Sequence, residues 1–182
     1  MDELTVSTVV YESPETIYEF LRDFPGYAQY SEHLQAVRTL QGDGGPGTRY
    51  ALRFSWWKLT YTAHSEVTNV TPPTVIDWKI IKDIDAHGCW RIEPLDELPA
   101  DAPAGAEHAC TVILDVTFDP HSAESDALNL PRLVSIGWVI KKAVPLIRKE
   151  AERVFTSAVE DIEGERRSVS LDVTTNSDHL KR

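Results

Sequence analysis

Three ionisable side chains fall where predicted neighbouring strands would bring them within reach of one another: Arg53, His64 and Glu66. Facing inward, such a group could polarise a carbonyl, move a proton or fix the polar end of a ligand. The plainer reading is favoured, because Arg and Glu are rarely buried. It is an outward salt bridge between Arg53 and Glu66, with His64 on the polar face that it shares with Thr62 and Glu66. No residue is therefore assigned a catalytic role, and these three stay as weak candidates. The other histidines, His33, His87, His108, His121 and His179, form no i, i+4 or HxH pair, so no metal site is expected. Cys89 and Cys110 lack paired spacing and read as small packing residues. Gly42, Gly44, Gly45 and Gly47 precede a strand rather than a helix, so they make a turn and cannot present a helix N-terminus to a phosphate. No cofactor is expected.

The other chemistry on offer is apolar. Tyr50, Leu52 and Phe54 share one side of a predicted strand, with Trp56 at its end. Trp78, Trp90 and the run Val112, Leu114, Val116, Phe118 share one side of three others. Both indoles of Trp56-Trp57, at a hairpin tip, cannot point inward, so one is expected to guard a cavity entrance or to touch a membrane or another protein transiently.

Elements that would position these residues are marked along the chain. Leu4 to Tyr11 is rich in β-branched residues and reads as a strand. Ser13, Pro14 and Glu15 open a helix that Pro25-Gly26 closes, and a short helix or turn follows over residues 27–34. From 36 to 119 the period is two, giving strands separated by turn signals, with a flexible loop over 96–107. Residues 131–163 then repeat apolar residues at helical spacing, among them Ile136, Ile140, Val144, Ile147, Ala151, Val154, Ala158 and Ile162, and Gly164 supplies the stop. Pro145 predicts a kink near Val144 or a break into two helices. Beyond it, residues 169–182 read as a polar, mobile tail to a single domain over 1–168.

Composition narrows the partners. With 18 Lys and Arg against 29 Asp and Glu, the net charge of −11 excludes a nucleic-acid footprint and disfavours anionic lipid surfaces. The acids are spread along the chain, as in proteins of salt-loving organisms. No apolar run is long enough to span a membrane and no signal peptide is visible, so a reduced, cytoplasmic protein is expected.

A strand, one or two short helices, a series of antiparallel strands and one long amphipathic helix imply an α+β fold in which a curved sheet grips the terminal helix. The opening SPETIYEFLRDFPGYAQY, the GDGGPGTRYALRF turn and strand, the WWKLTYTAHSEV return and the closing AVEDIEGERR resemble the helix-grip (SRPBCC) superfamily that includes START lipid-transfer domains. More narrowly, they resemble its polyketide cyclase/dehydrase and coenzyme-Q-binding branch. That resemblance implies a sheet of six to seven strands and a hydrophobic small molecule, such as a lipid, an isoprenoid quinone or a polyketide-like aromatic, held between sheet and helix. The expected ligand contacts are Tyr50, Leu52, Phe54, Trp56, Trp78, Trp90, Val112, Leu114, Val116 and Phe118 from the sheet, and Ile136, Ile140, Val144 and Ile147 from the helix. Tyr27 and Tyr30 are expected at the mouth. Two alternatives stay open: an aromatase/cyclase using His64, Arg53 or Glu66, and an interaction protein with a filled core.

Overall fold

The computed structural model describes residues 1–56, 59–122 and 136–178, with the backbone alone over 136–148. Strand β1 (Asp2–Val10) leads to α1 (Pro14–Arg22), where the Ser13 hydroxyl accepts from the Thr16 amide and Pro14 occupies the first turn. A 3₁₀ helix (Phe24–Gln29) turns the chain into β2 (Leu34–Gln41). Then β3 (Arg49–Trp56), β4 (Leu59–Thr71), β5 (Val75–Ile80), β6 (Ala86–Pro94) and β7 (Cys110–Phe118) follow as an antiparallel meander. The glycine-rich turn before β3 folds against Thr48: Gly42 has a φ of 91°, and a Cβ there would lie 2.7 Å from the Thr48 Cα.

Helix α2 (Ile136–Glu163) runs as one helical element through Pro145 rather than as two helices. It ends where expected, with Gly164 at a φ of 77° and its amide donating to the Glu160 carbonyl at 2.8 Å.

Among the described residues the sheet has eight strands, where about six to seven were expected. Its order is β2-β3-β4-β5-β6-β7-β1-β8, and the extra strand, β8 (Asp172–Thr175), comes from the segment expected to be a mobile tail. Val169, Leu171 and Val173 alternate with Ser170 and Asp172, a period-two signal that the polar surroundings obscure. β8 pairs antiparallel with β1, Leu4 opposite Thr175, and the Thr8 hydroxyl donates to the Ser170 carbonyl at 2.9 Å.

The cross-strand register sets the two faces. Val10, Cys110 and Pro94 form one row across β1, β7 and β6; Thr8, Val112 and Ile92 form the next; Val6, Leu114 and Trp90 the third. Tyr50 lies opposite Ser65, and Phe54 opposite Tyr61. This face packs on α1, on the 3₁₀ helix and on α2, and its core includes Val10, Ile17, Leu21, Phe24, Tyr50, Ile76, Ile92, Val112 and Val159. Among the described residues no helix is long and apolar enough to cross a membrane.

Candidate functional site

A cavity of about 560 Å³ lies between this face and α2. Seven residues picked from the sequence line it: Tyr27, Tyr30, Phe54, Trp56, Trp90, Val112 and Leu114. Thr8 and Val10 from β1 and Ile17, Phe20 and Leu21 from α1 complete the floor and one side. The helix contributes Ala151, Val154, Phe155, Ala158, Val159 and Ile162. Trp90 and Phe155 meet across the space with ring centroids 6.5 Å apart.

Other sequence-chosen residues sit elsewhere. Tyr50 is packed into the core with its ring 4.9 Å from that of Phe24, and Leu52 packs beside it. Trp78 lies across Gly88 so closely that a Cβ there would meet its ring at 2.3 Å. Val116 and Phe118 continue the same face of β7 past Leu114, beyond the residues that line the cavity. The side chains of Ile136, Ile140, Val144 and Ile147 lie outside the described residues, as does Trp57.

The weak catalytic candidates face away from the cavity. Arg49 lies opposite Glu66, Ala51 opposite His64, and Arg53 opposite Thr62, which places Arg53, His64 and Glu66 on the outer face of β3 and β4. Glu66 does make the outward salt bridge anticipated from its type, but to Arg49 at 2.7 Å and Lys79 at 3.5 Å rather than to Arg53. Arg53 stands four residues along β3 from Arg49, the residue opposite Glu66, too far down the ladder to reach it. The Arg49 hydrogen bond holds the Glu66 carboxyl below the ordinary carboxylate range.

The polar groups at the cavity come from residues that spacing did not single out. Ser31 and His33, between the 3₁₀ helix and β2, reach Glu150 on α2: the Ser31 hydroxyl donates to Glu150 Oε1 at 2.5 Å, and His33 Nε2 lies 3.0 Å from Glu150 Oε2. The His33 amide adds a longer contact to Oε1 at 3.4 Å. Arg153 bonds Glu32 and lies 3.7 Å from Glu150. Nearby, the Tyr30 hydroxyl donates to Asp161 at 2.7 Å and the Tyr27 hydroxyl to the Leu21 carbonyl. Burial pushes the Tyr27 phenol well above its ordinary range, against a smaller opposing effect from Trp90, and burial with the Asp161 bond raises Tyr30. Both stay neutral phenols. Sequence pattern missed Glu150 and His33 because the pair is separated by 117 positions, a span that no local periodicity reports.

Comparison with solved structures gives the same fold. A START superfamily protein from Mycobacterium smegmatis is 17% identical, with a TM-score of 0.60 over 89% of this chain and 99% of that one. The Zhui aromatase/cyclase from Streptomyces sp. R1128 is 15% identical, with a TM-score of 0.58 over 90% and 94%. The protein TTHA0849 from Thermus thermophilus is 16% identical, with a TM-score of 0.57 over 89% and 97%. At these identities the likeness establishes the helix-grip fold. No curated protein matches the sequence. Residues 1–163, from the first strand to the end of α2, match the model of the polyketide cyclase/dehydrase and lipid transport family, and to that family the chain belongs.

Proposed function

We propose that this chain binds and carries a hydrophobic small molecule in the cavity between the sheet and α2. One observation carries the reading: the lining is overwhelmingly apolar, and the hydroxyls that do border it are engaged by protein partners. Thr8 bonds Ser170, Tyr27 bonds Leu21, and Tyr30 bonds Asp161. A space of 560 Å³ would take on the order of twenty waters at their share of liquid volume, and most would face carbon. Replacing them with a molecule that buries apolar surface gains about 25 cal/mol per Å². The size falls in the range of small-molecule sites.

Native mass spectrometry of protein purified without organic solvent tests this. The expected result is an apolar molecule at one per chain. Ala158→Phe, which projects a ring into the cavity, should abolish that species while leaving the melting temperature equal or higher. A bare wild-type chain that also gains no melting temperature with quinones, fatty acids or polycyclic aromatics would overturn the carrier reading.

A cyclase-type enzyme is the second reading, favoured by the convergence of Ser31, His33 and Glu150 at the cavity. His64, Arg53 and Glu66 have no part in it.

A further inference from the structure

Cavity-lining polar groups are not equivalent in what they have left to offer. Tyr27 and Tyr30 already donate their hydroxyl protons, and so do Thr8 and Ser31. Glu150, whose side chain is 12% exposed, receives the Ser31 hydroxyl, the His33 ring and the His33 amide. His33 differs. Its Nε2 faces the Glu150 carboxylate at 3.0 Å, so in the neutral imidazole the ring proton lies on Nε2 and Nδ1 is left as an acceptor. Among the described residues nothing bonds that nitrogen. The side chain is 33% exposed and lines the cavity, so a bound molecule can reach it.

The charge around it sets the sign of the ligand. Among the described residues, the charged side chains bonded within this cluster are the carboxylates of Glu32, Glu150 and Asp161 and the guanidinium of Arg153. Such a site repels an anionic head group and accepts a neutral donor. The Ser31 hydroxyl, which itself accepts the amides of His33 and Leu34 at 3.1 Å, holds the carboxylate and the backbone of the loop in one unit, so the acceptor is fixed before any ligand arrives.

Resting on the carrier reading, the geometry points to His33, oriented by Glu150, as the anchor for a neutral hydroxyl on the ligand. The ligand class is then an apolar body ending in a phenol, enol or alcohol, rather than a fatty-acid carboxylate or a hydrocarbon without a polar end.

Three probes with one body separate the cases: para-octylphenol, its methyl ether para-octylanisole, and para-octylbenzoate. Binding is followed by calorimetry and by the fluorescence of Trp56 and Trp90, which line the cavity. Wild-type protein should bind the phenol about tenfold more tightly than the ether, the worth of one well-placed hydrogen bond, and the benzoate most weakly. His33→Phe should keep its affinity for the ether, which also reports that it folds, and lose the preference for the phenol. Equal binding of phenol and ether by the wild type overturns the anchor and leaves the carrier intact. So does a preference for the benzoate, which would make the ring a cationic site, or a phenol preference that survives in His33→Phe. If none of the three binds and the purified protein brings no apolar molecule with it, the anchor and the carrier reading fall together.

Discussion

At the scale of single residues, the chemistry is decided by which face of the sheet a side chain takes. Cys89 shows this on the outer face. It lies opposite Asp77 on β5 and Asp115 on β7. Burial first, and then the bond and charge of Asp77, push its thiol up to about 12, with Arg91 opposing. At pH 8 an ordinary thiol is a few tenths ionised, whereas this one is ionised to about one part in ten thousand. Cys110 is shifted the same way by burial. Cys89 should therefore react with a thiol reagent at pH 8 at least ~100-fold more slowly in the native protein than in urea, and Cys110 more slowly as well, ratios read directly from the two rates. The linkage has a definite sign. Between about pH 9 and 12 the native state holds a proton that the unfolded chain has lost, so stability is fully present below that window and falls as pH rises through it. Replacing Cys89 by Ala should flatten the decline of the urea midpoint over that range, and an unchanged slope would refute the assignment. Strand parity placed Phe54, Trp90, Val112 and Leu114 on the cavity side from the sequence alone, because none of them lies on β4, where the register shift between Val67 and Asn69 puts Val67 and Val70, three apart, on one face. It could not tell Tyr50, sealed under Phe24, from Phe54, open to the cavity, since both have the same parity and differ only in what packs above them. His33 and Glu150 were beyond it because they belong to different elements, brought together only by the tertiary fold.

At the scale of elements, α2 is held to the sheet by a clasp just past its end. Arg167 donates to both oxygens of Glu163 at 2.8 Å and to the Val9 carbonyl at 2.7 Å, and its guanidinium lies 4.8 Å from the centroid of the Tyr11 ring. Glu163 in turn accepts the Tyr11 amide at 2.8 Å, and its side chain is only 6% exposed. This is a fork-to-fork pair with a desolvated carboxylate, the geometry that Lys cannot reproduce. Arg167→Lys should cost about 3 kcal/mol, as breaking a buried pair does, and lower the melting temperature by roughly 6–12 °C. Arg166→Lys is the control. Its contact with Glu160 is 4.0 Å and exposed, so it should change nothing measurable. Equal shifts in the two variants would show that the clasp is incidental. The start of α1 and the end of α2 were readable because Ser13-Pro14 and Gly164 have local mechanisms, whereas Pro25-Gly26, expected to close α1, lie inside the 3₁₀ helix that follows its end at Arg22. Strand β8 was missed for the converse reason: its hydrogen bonds are all to β1, more than 160 positions away, and its side chains are mostly exposed. The clasp residues stand in the closing AVEDIEGERR segment, which the family pattern draws attention to but whose partners, Val9 and Tyr11, only the fold supplies.

At the scale of the whole molecule, the order of elements was legible because each has its own period and stops, and an antiparallel sheet with one long helix leaves few ways to cover one apolar face. What the order could not convey is the volume left beneath the helix, which depends on side chains such as Ala151 and Ala158 being small where the sheet curves away. The whole molecule also carries an excess of eleven negative charges, and here two effects oppose. Salt weakens the surface ion pairs, among them Arg22 with Glu19 and Arg91 with Glu93, but each exposed pair is worth only about 0–1 kcal/mol and several span adjacent turns or neighbouring positions that persist in the unfolded chain. Salt equally screens the repulsion among carboxylates that the compact state crowds together, and that term grows with the square of the net charge. The Debye length falls from about 30 Å at 0.01 M to about 3 Å at 1 M, so the long-range repulsion disappears across a range in which contact pairs lose less. Repulsion should win. The melting temperature should rise by several degrees between about 0.02 M and 0.5 M sodium chloride, a salt chosen because it is not strongly excluded from protein surfaces as sulfate is. A melting temperature that falls over this range would mean that the ion pairs outweigh the net charge, and that the acids spread along this chain are matched locally rather than tolerated globally.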